Sequence, residues 1–248
     1  MKLYTEEALV LKSVSMRDAD RVLTLYSRAG GKFRAVAHGA DKPSSRKRGS
    51  VQPFTYGKFQ LRRGRELDSV EQCEGLEYFK RLRESLEGIA FASYMAELVD
   101  VFTSEGEATP GIFELIMESY GGIGEGRDSI IVRSFELKLL SLSGYRPHLE
   151  NCVSCGREAG DGRAVLVPAL GGLACSRCAT GHAPAYSLKR DAVEVMKLIM
   201  KWSPDRLARI KIGGGTEKEM KNALRGFIQY HLESRLKSVR FLDWLENE

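Results

Sequence analysis

No run of apolar residues in this 248-residue chain approaches the roughly 20 that a membrane-spanning helix requires. The opening, Met1-Lys2-Leu3-Tyr4-Thr5-Glu6-Glu7, lacks the long apolar stretch of a secretory signal. The expectation is a cytoplasmic protein with no membrane contact. The motif inventory is equally bare. Gly213-Gly214-Gly215 is followed by Thr216-Glu217 rather than by Lys-Ser/Thr, so it is a turn before a helix and not a phosphate loop. His-Glu-x-x-His and Gly-x-Ser-x-Gly are absent. Asp18 lies near Asp20, and His38 near Asp41, but without motif context they read as surface carboxylates and their neighbours. Nothing nominates a catalytic acid, base or nucleophile, so the chain is expected not to be an enzyme. There is no internal repeat and no low-complexity tract. A composition of 43% hydrophobic and 29% charged residues is nonetheless ample for a folded core.

The five cysteines are few but patterned. Cys152-x-x-Cys155 is followed after 19 residues by Cys175-x-x-Cys178, and Cys73 stands alone in an apparent strand as a packed thiol. Two such pairs in a reducing compartment point to metal rather than to disulfides. Each Cys-x-x-Cys turn brings two thiolates to one side, and together they offer the four soft ligands of tetrahedral zinc. The expected cofactor is one structural Zn2+ ion. A fully occupied shell leaves no position for water, so the site is structural. Val165-Leu166-Val167 and Gly171-Gly172-Leu173-Ala174, between the pairs, form the hairpin of a zinc ribbon. His148 and His182 flank the cluster as neighbours and not as ligands.

The net charge of +5 is unevenly spread. Residues 1–80 hold 16 Lys and Arg against 10 Asp and Glu, and between Arg28 and Arg65 the sole acid is Asp41. Positive charge concentrated in this way is the footprint of a polyanion partner. The same region reads as five short strands: Glu7–Val14, Arg21–Tyr26, Lys32–Ala37, Phe54–Leu61 and Glu66–Cys73. Glycine-rich turns such as Gly30-Gly31 separate them. A small closed barrel of the OB-fold type fits five strands of this size. Asp41 to Gln52 reads as a basic, mobile loop between strands three and four. The candidate nucleic-acid-binding residues are Lys32, Arg34, Arg46, Lys47, Arg48, Lys58, Arg62 and Arg63. Tyr26, Phe33, Phe54, Tyr56 and Phe59 are interleaved with them as candidate stacking faces, half or more of which must serve as barrel core.

From about Leu76 the period becomes helical. Helices are expected over Ser85–Thr103, Pro110–Tyr120, Ser129–Leu142, Leu188–Trp202 with Ser187 as cap and Pro204 as stop, and Glu217–Leu236. The fold class is therefore α+β multidomain. An N-terminal five-stranded OB-fold barrel (1–78) precedes an α-helical domain (79–248) carrying a four-cysteine zinc ribbon at about 149–183.

Several segments, taken in order, resemble the RecO family. They are Glu7-Ala8-Leu9-Val10-Leu11-Lys12, Leu23-Thr24-Leu25-Tyr26-Ser27 through Gly30-Gly31-Lys32, and Val36-Ala37-His38-Gly39-Ala40 with Gln52-Pro53-Phe54. Most specific is Phe135-Glu136-Leu137-Lys138-Leu139-Leu140 with Gly144-Tyr145-Arg146-Pro147. It runs into Cys152-x-x-Cys155 and, later, Gly171-Gly172-Leu173-Ala174-Cys175. The resemblance covers nearly the whole chain. It implies insertion of the zinc ribbon in the helical domain and a role in DNA repair and recombination. It also implies binding to single- and double-stranded DNA, strand annealing without ATP, and action with RecR and single-strand-binding protein to help RecA load, in a nucleoid-associated setting. A groove near Arg133 and Lys138 is the expected dock for the acidic, apolar tail of single-strand-binding protein. Ser44–Arg48 is more basic than the family pattern leads one to expect. Two other classes compete: an RNA- or ribosome-associated OB-fold zinc-ribbon protein, and a protein-interaction scaffold.

Overall fold

The computed structural model describes residues 2–158, 163–202, 207 and 210–245. Among them no helix is long and apolar enough to cross a membrane. The expected stop at Pro204 lies outside the described residues. The chain packs as two compact units. One holds the described residues up to Gly124 together with those from Ser238, and the other spans Glu125–Lys237. The barrel strands end at Glu77, next to the expected boundary at 78/79, while the division into compact units falls after Gly124 and after Lys237.

In the first unit, β1 (Leu3–Ser15), β2 (Arg21–Ser27), β3 (Gly31–Ala37), β4 (Tyr56–Arg62) and β5 (Asp68–Glu77) close into a barrel of order β1-β2-β3-β5-β4. This is the five-stranded OB-fold arrangement. β1 closes it by pairing with two partners. Leu3 to Leu9 lie against β4 and Ala8 to Ser15 against β2, with a bulge between Val10 and Lys12. A bulge re-aims the residues beyond it, so Val10 points inward while Lys12 and Val14 face out. The alternating residues Leu23, Leu25, Ala35, Ala37, Phe59, Leu61 and Val70 fill the interior. Full burial of each large member contributes about 1.5–3 kcal/mol.

The segment from His38 to Thr55 is not the mobile loop that its composition suggests. Ala40 and Val51 are fully buried in the barrel core. Successive turns hold the segment through Lys42 N to Gly39 O, Ser45 N to Lys42 O, Arg48 N to Ser45 O and Val51 N to Lys47 O. It plugs one end of the barrel, because two apolar side chains within a largely polar stretch suffice to anchor it.

α1 (Leu86–Phe102) is capped by Ser85, whose hydroxyl accepts from Gly88 N at 2.9 Å, an interaction of about 1 kcal/mol. α2 (Ile112–Gly122) lies beside it, with the buried Tyr120 hydroxyl donating to Ala92 O. The terminal helix, Ser238–Leu245, has no counterpart among the expected elements. It packs on α1, and Ser238 bonds the Glu97 carboxylate through its backbone and its hydroxyl.

The second unit comprises α3 (Asp128–Leu142), a three-stranded sheet and further helices. The strands are β6 (Arg163–Val167), β7 (Gly172–Ala174) and β8 (Tyr186–Lys189), in the order β7-β6-β8. The helices are α4 (Ser176–Ala179), α5 (Arg190–Lys201) and α6 (Gly214–Tyr230), which leaves the terminal helix Ser238–Leu245 as α7. Ser187 does not cap α5. It sits in β8 opposite Val165, and the helix starts at Arg190 with Lys189 at its N-cap. The expected ribbon hairpin is present as β6 and β7, and β8 adds a third strand beside β6. α6 begins at the second of three glycines and ends six residues before the expected Leu236.

Candidate metal centre and nucleic-acid interface

The sheet β7-β6-β8 positions the cysteines. Val153 N bonds Leu173 O, which fastens the first Cys-x-x-Cys turn to β7. Gly156 closes that turn through Cys152 O at 2.8 Å with φ of 72°, a left-handed value that favours glycine. Cys175 ends β7 as the N-cap of α4, so Cys178 lies one turn on along the same short helix. The result is four sulfurs within 4.8 Å of one another. Cys155 Sγ and Cys175 Sγ are 3.9 Å apart. Four thiolates about 2.3 Å from a tetrahedral ion would be about 3.8 Å apart, whereas a disulfide needs about 2.05 Å. The donor set therefore fits a metal ion.

The electrostatics agree. Backbone N–H groups of Cys175, Cys155 and Ser154 hold the Cys152 thiol down to about 6. Arg157 lowers Cys155. Hydrogen bonds from Cys178 to Cys175 and Cys155 push its thiol up to about 12. With protons alone to balance them, the four sulfurs cannot all ionise, and a divalent cation removes that conflict. His148 bonds Asn151 through Nε2 and sits beside β7 through its backbone, outside the sulfur cluster. Cys73 is half-buried, and burial raises its thiol, in keeping with a packed residue.

The structure separates the eight candidate cations into five settings. Lys32 is buried, and its Nζ donates to Asp100 O and pairs with Asp100 Oδ1 at 3.2 Å. It ties β3 to α1 and is not an open phosphate contact. Lys47 donates to Val70 O at 2.6 Å, anchoring the plug. Lys58 and Arg62 face outward on β4. Lys58 sits opposite Glu7 and Glu74, and Arg62 pairs with Glu71 at 2.9 Å. Arg62 is thus paired, and Lys58 has a carboxylate residue as its cross-strand neighbour on either side. Arg63 lies over the Tyr4 ring and 3.7 Å from Asp68. Arg34, Arg46 and Arg48 are exposed, and Arg34 lies 4.0 Å from the Glu105 carboxylate.

Around these three the fold gathers cations that the sequence pattern does not single out. The β1–β2 turn, Met16–Asp20, carries exposed Arg17. It is fastened to the start of the plug by Asp41 N to Ala19 O and by Gly39 N to Asp20 Oδ1 at 2.7 Å. His38 Nδ1 also meets Asp20 Oδ2. The Gly39 amide and then His38 hold the Asp20 carboxyl below its usual range. Asp41 accepts from Arg21 and Ser15 and is lowered chiefly by Arg21. These two carboxylates, plain surface residues by sequence, thus clasp two turns together. They place Arg17 and Lys42 on the side of the barrel that carries Arg46 and Arg48. Proximity across 20 residues has no local signal, so Arg17, Lys42 and Lys12 do not stand out before the chain is folded.

The stacking faces fare differently. Tyr26 and Phe59 are buried. Phe54 packs edge-on against Tyr120. Phe33 fills the barrel, and Tyr56 donates to Glu7 while packing on Phe113. None of the five offers an open ring, so the aromatic platform that the sequence suggests is not formed by these residues.

The expected docking pair divides as well. Lys138 is half-exposed, but Arg133 is 3% exposed and paired with Glu136 at 3.0 Å, itself 0% exposed. The i,i+3 spacing on α3 turns both inward. Arg133→Ala is expected to destabilise the chain by about 3–5 kcal/mol by removing the cation that the buried Glu136 faces. Urea melts should show the loss, and the double variant with Glu136→Gln should recover much of it. A single variant as stable as the parent would show that the pair does not hold the core.

The chain matches the family models described as Recombination protein O N terminal over residues 1–79 and Recombination protein O C terminal over residues 83–240. It is 42% identical to the DNA repair protein RecO of Desulforamulus reducens over 99% of this chain and 96% of that protein. It is 43% identical to that of Pelotomaculum thermopropionicum over 98% and 94%. The barrel, the helical part and the four-cysteine centre thus fall within a single pattern, and the chain belongs to the RecO family.

Proposed function

We propose that this chain is a DNA repair and recombination mediator that binds single- and double-stranded DNA through its barrel and anneals complementary strands without ATP. The observation that carries the reading is the group of exposed cations Arg17, Lys42, Arg46 and Arg48, held on one side of the barrel by the Asp20 and Asp41 clasps. Such a group neutralises phosphates and releases their counterions. Acting on two strands, it lowers the repulsion that opposes pairing, so no nucleotide hydrolysis is required and no catalytic group is needed.

Family membership supports action with RecR and single-strand-binding protein in helping RecA to load, in the cytoplasm at the nucleoid. In this reading residues 1–78 are the nucleic-acid-binding domain and 79–248 the helical domain with its ribbon at about 149–183. The four sulfurs hold one Zn2+ ion, which braces the ribbon and takes no part in chemistry. Of the expected docking cations for the tail of single-strand-binding protein, Lys138 is retained and Arg133 is not.

The test is annealing of complementary strands coated with single-strand-binding protein, without ATP. Acceleration that fades as salt rises is expected. A folded, metal-loaded protein that leaves the rate unchanged would sink the reading, and a preference for RNA in competition would replace it with an RNA-binding role.

A further inference from the structure

Charge is divided along the chain between the barrel and the helices that follow it. Between Arg28 and Arg65 the sole acid is Asp41, whereas residues 84–126 hold nine Asp and Glu and no Lys or Arg. That acid-only stretch contains α1, α2 and the segment 103–111 that joins them. The segment is bonded to the barrel strands. Gly106 N bonds Lys32 O, Glu105 bridges Lys32 through its backbone, and Thr109 N bonds the Tyr26 hydroxyl. Gly31 permits the approach, since a Cβ there would lie 2.0 Å from Glu107 O. Residues 103–111 are thus a strap pinned by its backbone, with Glu105 and Glu107 exposed on it.

Three cations of β3 and of the turn before it meet acids of this stretch. Lys32 Nζ lies 3.2 Å from Asp100, Arg28 Nε 2.9 Å from Glu114, and Arg34 Nε 4.0 Å from Glu105. Their surroundings differ. The Lys32 side chain is buried and fixed, whereas Arg34 and Arg28 are 48% and 70% exposed, opposite carboxylates 59% and 44% exposed. Ion pairs this open to water are weak and easily exchanged for another anion. The acids themselves stay close, because the strap and the first turn of α2 that carry them are held by backbone bonds. Two arginines held loosely by tethered carboxylates have the form of a site occupied by a weak internal stand-in for phosphate.

We propose that the acidic strap and Glu114 form an autoinhibitory contact, in which Glu105 and Glu114 compete with nucleic acid for Arg34 and Arg28. The proposal rests on the reading that the barrel binds nucleic acid and adds to it a brake built into the same chain. A tethered competitor acts at a high effective concentration that dilution does not change. A strand gains these two arginines only by displacing the carboxylates, and it surrenders them as soon as its phosphates withdraw. Glu107 adds a further negative charge beside them. The brake lowers affinity at this end of the barrel and favours release of strands that are only partly engaged.

The experiment measures binding of the full-length protein to a pyrimidine single strand across a salt series, with urea melts to verify that each variant is folded. Glu105→Gln/Glu114→Gln is expected to bind about tenfold more tightly than the parent at low salt, with a salt slope steeper by about 0.7 for each phosphate newly engaged. Adding Arg28→Gln/Arg34→Gln to that variant should erase the gain. The same arginine changes in the parent should cost several-fold less, since the carboxylates already engage both cations there. Glu84→Gln/Glu118→Gln removes equal charge from exposed positions of the same acidic stretch and should change affinity little. An equal gain from the two glutamate pairs, no gain from Glu105→Gln/Glu114→Gln, or a gain that survives loss of both arginines overturns the brake. A parent protein that binds no strand at any salt overturns the nucleic-acid reading itself.

Discussion

Stripping the metal, or replacing Cys152 with serine, is expected to unfold the ribbon and loosen the unit that carries it. The core beside the four sulfurs is small. Cys152, Val167, Ala174 and Ala179 are buried there, with Val165 and Leu170 against them. Residues so few and so small bury too little apolar surface to hold three short strands and a single turn of helix against the entropy of the chain. Structural zinc sites carry on the order of 10–16 kcal/mol of apparent folding free energy, far more than that core can supply. Cys152 is the most buried of the four cysteines and the one whose sulfur receives the most backbone N–H groups, so its replacement should cost most. Hydrogen exchange should show the amides of Val153, Gly156 and Leu173 losing protection on chelation, while those of the barrel strands keep theirs. Unchanged exchange across β6 and β7 in a verified metal-free protein would show that the sulfurs are packed without being needed.

The second large effect separates the candidate cations by their surroundings. Arg46→Glu with Arg48→Glu is expected to lower nucleic-acid affinity by about 100-fold at moderate salt. The dependence of log affinity on log salt should flatten by about 0.7–0.9 for each phosphate that is no longer neutralised. Lys58→Glu with Arg62→Glu removes the same formal charge from the same barrel. There Glu7, Glu74 and Glu71 already balance it, so the change in affinity and slope should be several-fold smaller. Lys32→Ala should act on stability instead, because its ammonium is committed to Asp100. Anisotropy titrations at several salt concentrations, with a urea melt of the Lys32 variant, resolve all three. Equal weakening by the two double variants would mean that net charge alone drives binding, and that the clasped side of the barrel has no special role.

These contrasts trace how much the chain shows before it is folded. The barrel is legible because strand alternation and glycine turns are local, period-two signals. Most helix positions follow from three- and four-residue spacing. The metal centre is legible because a Cys-x-x-Cys turn is itself the device that pairs two sulfurs. Boundaries slip where local signals compete. Ser187 is a good cap by type, yet pairing with Val165 draws it into a strand.

The faces of the elements have no such local signal. Alternation shows that Phe59 and Lys58 oppose one another, but which exposed cations meet carboxylates depends on strands β1 and β5, far away in sequence. Arg46 and Arg48 stay open while Lys47 between them reaches Val70 O, because a turn directs three successive side chains in three directions. Arg133 resembles a surface cation by type and is buried with Glu136, since helical spacing fixes which residues share a face but not what that face packs against. The type of most elements and the pairing of the four sulfurs were determined by the sequence itself, through interactions among near neighbours. The choice of which charges remain free to act was made only by the tertiary structure, because pairing and burial depend on residues that become neighbours only when the chain closes on itself.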